Sequence, residues 1–258
     1  MTGPVLDEQD GPVLTLTLHR PERLNAVSEP MYTALREQLA RAGTDPTIRV
    51  VVLRGAGRAF CAGADLKAHA GSERTLADRR GYAELAGAAV TDLVGLPKPV
   101  LAVVHGYAFG AGAELATAAD FLITTPETVF AFPELTLGTY VGGGVTMLLP
   151  QLVGLARARE LLFTGRRFTG AEAAAWGLAH QAVASPELPA AVSDLTGRLA
   201  DSAPVPTGLL KQQLNQPDQI GAAIAEEVSA LTTCMGTADW REGLAAFAER
   251  RTPSFEGR

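Results

Sequence analysis

"HGYAFGAGAELATAADFLI", residues 105–123, decides how this chain is read. A β-branched run, "KPVLAVVHG" (98–106), ends at its start, and glycines 106, 110 and 112 make a flexible turn. Alanine- and leucine-rich sequence then supports a helix beginning near Ala111, and "FLITT" (121–125) resumes as a strand. No Ser, Thr, Asp or Asn precedes that helix as a cap. Its first N–H groups are left without partners, beside side chains small enough for an anion or a polarised carbonyl to approach the backbone. One carboxylate, Glu114, lies three residues after Ala111 and therefore on the same helix face. Two readings stand at this point: an acid/base group beside an oxygen-binding helix start, or a first-turn carboxylate satisfying the helix dipole.

The strand–turn–helix–strand order repeats outward along the chain. "VLTLTL" (13–18) alternates, "RVVVLRG" (49–55) is a continuous apolar run as in a buried strand, and "SEPMYTALREQLARA" (28–42) reads as a helix capped by Ser28 with Met31, Leu35 and Leu39 on one face. An α/β architecture follows, with no linker and no repeat of 20–50 residues dividing the chain. From about residue 200 the pattern turns helical. "GLARARELLFTG", "TGAEAAAWGL", "DQIGAAIAEEVSALTTCMG" and "DWREGLAAFAERR" read as further helices, the second opened by a capping box from Thr169 to Glu172.

Composition narrows the functional classes. The 258 residues are 47% hydrophobic, enough for a large core, and carry a net charge of −6, which disfavours nucleic acid or an anionic membrane as partner. Two cysteines, Cys61 and Cys234, make neither a disulfide framework nor a metal site. "MTGPVLDEQDG" lacks a leader's basic flank and apolar centre, and no apolar run is long enough for a bilayer, so a soluble cytoplasmic protein is expected.

Two more segments carry chemistry. In "RGAGRAFCAGADLKAH" (54–69), Ala62, Gly63 and Ala64 follow a strand and can offer a second backbone N–H. In "FAFPELTLGTYVGGG" (130–144), Glu134 follows Pro133 as though opening a helix or turn, a position that also has a purely structural explanation. "RGAGRA" superficially resembles a dinucleotide-binding turn, but "FCAGAD" interrupts the long helix such a turn needs. Cys61 reads as a small buried residue rather than a nucleophile, and no G-x-S-x-G motif is present.

Together, "HRPERLNAVSEPM" (19–31), "FCAGADLK" (60–67), the opening stretch, "FPELTLGTYVGGG", "TGRRFTGAEAAAWGLAHQAV" (164–183) and "EGLAAFAERRTPSF" (242–255) resemble, in order and spacing, the crotonase or enoyl-CoA hydratase/isomerase superfamily. The resemblance implies an α/β fold, a crotonase-like spiral of β-β-α repeats over residues 1–199, followed by a helical C-terminal trimerisation region over 200–258, in a homotrimer or a hexamer built as a dimer of trimers. It implies an enoyl-CoA hydratase acting on an acyl-CoA thioester, with Δ3,Δ2-enoyl-CoA isomerisation or another crotonase-type reaction as the alternative. A non-enzymatic acyl-CoA-binding protein is disfavoured by the presence of both glutamates.

Carried onto this sequence, the resemblance makes Glu114 and Glu134 catalytic and the backbone N–H groups of Ala64 and Ala111 an oxyanion hole. Gly142 would position the catalytic water. Arg23, Leu24, Ala26, Ala62, Gly63, Asp65, Leu66, Lys67, Phe247 and Arg250, with neighbouring Arg251, would flank coenzyme A. Arg23 and Lys67 read equally as ordinary exposed cations, and Phe247 as helix packing. No metal or redox cofactor is implied, coenzyme A being part of the substrate. The chain departs from the usual pattern in having "GAG" in place of "GGG" at 110–112, Val141 where proline is usual, and "VTMLLPQ" (145–151) where polar residues usually follow.

Overall fold

The computed structural model describes residues 3–66 and 74–258; Lys67 lies outside the described residues. Strands β1 (Val5–Asp10), β2 (Val13–Leu18), β3 (Val50–Gly55), β4 (Val100–Val104), β6 (Phe121–Thr124) and β9 (Gln181–Ala182) form the main sheet in the order β1-β2-β3-β4-β6-β9. Only β1 runs antiparallel; its N-terminal segment pairs back onto β2 around Gly11, a strand not foreseen from the sequence. A small sheet, β5 (Tyr107–Phe109), β7 (Val129–Ala131) and β8 (Phe168–Thr169), lies beside it.

Alternation along the central strands feeds two cores. Val51, Leu53, Val100, Ala102 and Val104 join the main core, whereas Val52, Leu101 and Val103 join a smaller one with Ile123 and Leu195. Because successive side chains point to opposite faces, a sheet covered on both sides needs apolar residues at every position, which the continuous runs provide. The main core is closed by α1 (Glu29–Thr44) and α2 (Leu76–Gly95), and the smaller one by α7 (Leu188–Asp201).

Two short helices, α3 (Ala111–Thr117) and α6 (Gly170–Trp176), pass from the small sheet to the main one, and α4 (Val145–Val153) and α5 (Leu155–Thr164) come between β7 and β8. After α7, the chain continues as α8 (Pro204–Asn215), α9 (Pro217–Met235) and α10 (Ala238–Glu249), so the helical run starts at Leu188, before residue 200. Helix α9 lies against α2, where a Cβ on Gly87 would stand 2.6 Å from Ile224 Cγ2. Helix α8 is pinned by a buried ion pair, Lys211 Nζ to Asp120 Oδ2 at 2.7 Å, with Leu93 and Lys98 carbonyls accepting the other ammonium protons at 3.0 Å.

Capping separates what the sequence signalled from what it did not. The Thr169–Glu172 box is present, and a second one, Thr75–Asp78, opens α2. Ser28 does stand at the start of α1, but its hydroxyl makes no cap bond. Pro30 removes one of the two N–H groups it could accept, and Met31 N already donates to the Ser28 carbonyl. No helix follows the "RGAGRA" turn; residues 56–62 run as irregular backbone after β3, apart from a bridge at Cys61.

Candidate active site

Two turns press together at the ends of β3 and β4. Cys61 N donates to Tyr107 O (3.1 Å), Phe109 N donates to Cys61 O (3.0 Å), and a Cβ on Gly112 would lie 2.3 Å from the Cys61 carbonyl oxygen. A Cβ on Gly63, whose φ is +97°, would lie 2.8 Å from Phe109 O and 3.9 Å from Ala111 N. Only glycine tolerates both that backbone and that approach. The result places the partly exposed Ala64 and Ala111 on one cavity wall, and among the described residues neither N–H donates a hydrogen bond. Helix α3 has Gly110 at its N-cap and no side-chain cap, as its sequence suggested.

The two acids open into the same cavity. Glu114, on the first turn of α3, is 9% exposed, and its Oε1 accepts from Gly142 N at 2.7 Å. Glu134 opens a 3-10 turn, Glu134–Leu137, directly after Pro133; it is 8% exposed and its Oε2 has no hydrogen-bond partner among the described residues. Burial pushes the Glu114 carboxyl up to about 7, the Gly142 N–H opposing the rise and the Glu227 charge adding to it. Glu134 is held well above the usual carboxylate range, by burial first and by the Glu114 charge second. Two facing carboxylates in a desolvated site cannot both ionise cheaply, so their protons come off in separate steps. Near neutral pH Glu114 is passing through its ionisation while Glu134 holds its proton, which separates the pair into a potential base and a potential acid.

Gly142 has its N–H committed to Glu114 rather than open to a water molecule. Its neighbours Gly143 and Gly144 have φ of +67° and +71°, making a short arch against Glu114. The far side of that arch is held by Glu227 of α9, only 2% exposed, which accepts from Gly144 N (2.6 Å), Thr146 N (2.9 Å) and Thr146 Oγ1 (2.6 Å). Sequence reasoning missed Glu227, because one acid among the polar residues of an amphipathic helix carries no local signal.

The cavity, about 110 Å³, extends from the acids between α1, α2, α9 and α10. Tyr32 and Tyr82, rings 6.0 Å apart and edge to face, form one wall; Tyr140, Leu231, Met235 and Trp240 form others. Among its described lining residues only Glu114 and Glu134 carry charge. The Cys61 thiol, buried behind this wall, is pushed by burial up to about 12, so it remains protonated.

A second cleft of about 610 Å³ adjoins the cavity, sharing Ala62, Ala64, Leu66, Phe109, Pro133 and Leu137 with it. Arg23, Leu24, Ala26, Ala62, Asp65, Leu66 and Phe247 line this cleft, whereas Gly63 faces the inner cavity and Arg250 lines neither. Arg251 is occupied by Glu242 and Glu249, and Asp65 accepts from Arg20 at 2.9 Å. Arg58 and Arg167, both exposed, bring cations to the cleft that the sequence had not signalled. The "ERLNA" turn is fixed by the buried Asn25, whose amide donates to the carbonyls of Ala56 and Ala59 at 2.8 Å.

Comparison with known proteins places the fold and the sequence in one family. Residues 8–258 match the enoyl-CoA hydratase/isomerase family. The carnitinyl-CoA dehydratase of Proteus mirabilis is 38% identical over 257 residues, covering 96% of each chain. The solved enoyl-CoA hydratase of Mycobacterium avium subsp. paratuberculosis superposes with a TM-score of 0.90 at 28% identity, covering 99% of this chain and 100% of that one. An enoyl-CoA hydratase from Bacillus anthracis gives 0.78 at 32% identity, with 99% and 100% covered. The spiral α/β fold with its helical C-terminal region, and the sequence match over nearly the whole length, make this chain a member of the enoyl-CoA hydratase/isomerase family.

Proposed function

We propose that this protein adds water to, or removes it from, the α,β bond of an acyl-CoA thioester, as a hydro-lyase. The observation that carries the reading is the shared cavity: two buried carboxylates with separated protonation beside two backbone N–H groups that have no hydrogen-bond partner among the described residues. The thioester oxygen accepts from Ala64 N and Ala111 N, where each donor is worth about 3 kcal/mol once the oxygen becomes an enolate. Glu114, aimed by Gly142, takes a proton from water as its oxygen bonds to Cβ. The π electrons move onto the thioester, and Glu134 then delivers its proton to Cα; dehydration is the reverse. Nothing in this sequence of steps calls for a metal or redox cofactor, and coenzyme A enters with the substrate along the adjoining cleft. The exposed Val205, Leu209, Leu210 and Leu214 of α8 support assembly as a trimer or dimer of trimers, which light scattering tests.

A second reading concerns the acyl group. An aromatic wall of Tyr32, Tyr82, Tyr140 and Trp240, with carboxylates the sole charges, suits a short acyl chain ending in a cation, through cation–π attraction. It agrees with the name of the Proteus mirabilis relative. Comparing carnitinyl-CoA with 3-hydroxybutyryl-CoA separates the two: equal kcat/KM values argue against cation recognition.

Glu114→Gln and Glu134→Gln test the chemistry on 2-enoyl- and 3-enoyl-CoA. Hydration requires both acids, so each variant loses about a hundred-fold or more in kcat with KM little changed. Isomerisation requires Glu134 alone, so retained turnover of Glu114→Gln on 3-enoyl-CoA establishes the isomerase alternative. Near wild-type rates from both variants on both substrates refute the two-carboxylate mechanism.

A further inference from the structure

Glu227 is a buried carboxylate that the proposed chemistry leaves unused. Its two oxygens accept three hydrogen bonds, all from Gly144 and Thr146. Helix α4 has no side-chain cap of its own, its N-cap being Gly144, so an acid 83 residues away in sequence supplies the missing acceptor. The same segment, two residues earlier, donates Gly142 N to Glu114 Oε1. A run of three glycines is thus clamped at both ends by carboxylates. Two of them adopt positive φ, and glycine is the residue whose backbone is least restrained by its own sterics. Without an anchor behind it, the arch has little to keep the Gly142 N–H aimed.

We propose that Glu227 is a positioning residue for Glu114: it anchors the glycine arch that orients this carboxylate, and it sets a second negative charge behind it. The proposal rests on the reading of Glu114 as the base. The titratable groups facing Glu114 are Glu134, Glu227, Tyr32 of α1, Tyr82 of α2 and Cys61. Burial raises both tyrosines and the cysteine, leaving them neutral at working pH. Glu134 and Glu227 are the groups that can act on Glu114 by charge. Removing the Glu227 charge makes Glu114 easier to ionise, and loosening the arch misaims it.

The test is Glu227→Gln, with two readouts. The protonated Glu114 carboxyl is titrated without substrate by infrared difference spectroscopy against a Glu114→Gln background, and kcat and KM are measured for a 2-enoyl-CoA. The Glu114 midpoint is expected to move by about half a pH unit or more, down where the lost Glu227 charge dominates and up where the loosened Gly142 N–H no longer holds the carboxylate, the acid limb of kcat/KM moving with it. The kcat is expected to drop about ten- to a hundred-fold with KM within about two-fold, the pattern of a misaimed base. A lower urea midpoint with kcat and the Glu114 midpoint unchanged would make Glu227 a helix cap and overturn the proposal. Should Glu227→Gln fail to fold, Glu227→Asp keeps the charge and shortens the reach. With the charge kept and the arch slackened, it is expected to lower kcat without lowering the Glu114 midpoint, and unchanged kcat overturns the proposal. A wild-type protein inactive on every enoyl-CoA refutes the hydro-lyase reading but leaves the infrared titration able to decide on Glu227.

Discussion

Replacing Gly143 by alanine isolates the position of Glu114, the proposed base, from its chemistry. A Cβ on Gly143 would lie 2.8 Å from Glu114 Cβ, and ordinary contact begins at 3.4 Å, so the pair must separate by about 0.6 Å. Neither side yields easily. Glu114 Cβ belongs to the buried first turn of α3, and Gly143 lies between the two carboxylate anchors of the arch. Alanine also pays about 1 kcal/mol for a φ of +67°. A displacement of this order in a catalytic group costs up to about a hundred-fold in rate. Gly142→Ala is the control, because its Cβ would meet Glu114 Oε2 at 3.6 Å, an ordinary contact, and its φ is not in the left-handed region. The assay follows loss of enoyl-thioester ultraviolet absorbance, with circular dichroism confirming the fold. Gly143→Ala is expected to lose ten- to a hundred-fold in kcat, and Gly142→Ala much less. Equal activities of the two variants, or a worse Gly142→Ala, would refute the argument that the arch sets the position of Glu114.

Hydratase activity is expected to rise with pH through about 7 as Glu114 ionises, and to fall at higher pH once Glu134 gives up its proton; a pH profile of kcat/KM checks both limbs. Because the folded Glu114 carboxyl is raised above its unfolded value of 4.5, its ionisation costs stability as pH rises from 4.5 to about 7, so Glu114→Gln should melt higher than wild type at pH 8, with the gain shrinking toward pH 5. Arg58→Ala and Arg167→Ala, at the mouth of the adjoining cleft, should raise KM for coenzyme A thioesters while leaving kcat unchanged, and should not affect a truncated pantetheine thioester. Lys211→Met removes the cation from the half-buried Asp120, which keeps its hydrogen bonds from Val100 N and Asn215 Nδ2, and is expected to cost about 1 to 3 kcal/mol in urea unfolding.

The parts of this molecule governed by local rules were legible in its sequence. Strands β2, β3, β4 and β6 announced themselves by alternation or continuous apolar runs, and the start of α3 by glycines without a cap residue. Glu134 was marked by the proline before it. What escaped depends on partners far along the chain. Ser28 satisfies every local rule for a cap yet fails, because Pro30 and the Met31 N–H leave it nothing to accept. Glu227, Arg58, Arg167 and the Lys211–Asp120 pair look like ordinary polar positions until the fold brings a distant segment against them. Helix α2 is buried against α1 on one side and α9 on another, so its apolar residues spread around the helix and no single-sided period marks it.

The cavity walls come from both ends of the chain: Tyr32 and Tyr82 from early helices, Leu231, Met235 and Trp240 from late ones. A ribosome releases Glu114 and Glu134 roughly a hundred residues before the late residues that enclose them. Until then Leu231, Met235 and Trp240 are not present to close the cavity around Glu114 and Glu134. Pairing such distant segments is slow, since the loops between them must close before the contacts form. Removing α9 and α10 takes away the late walls while leaving both carboxylates in place, and is expected to abolish turnover.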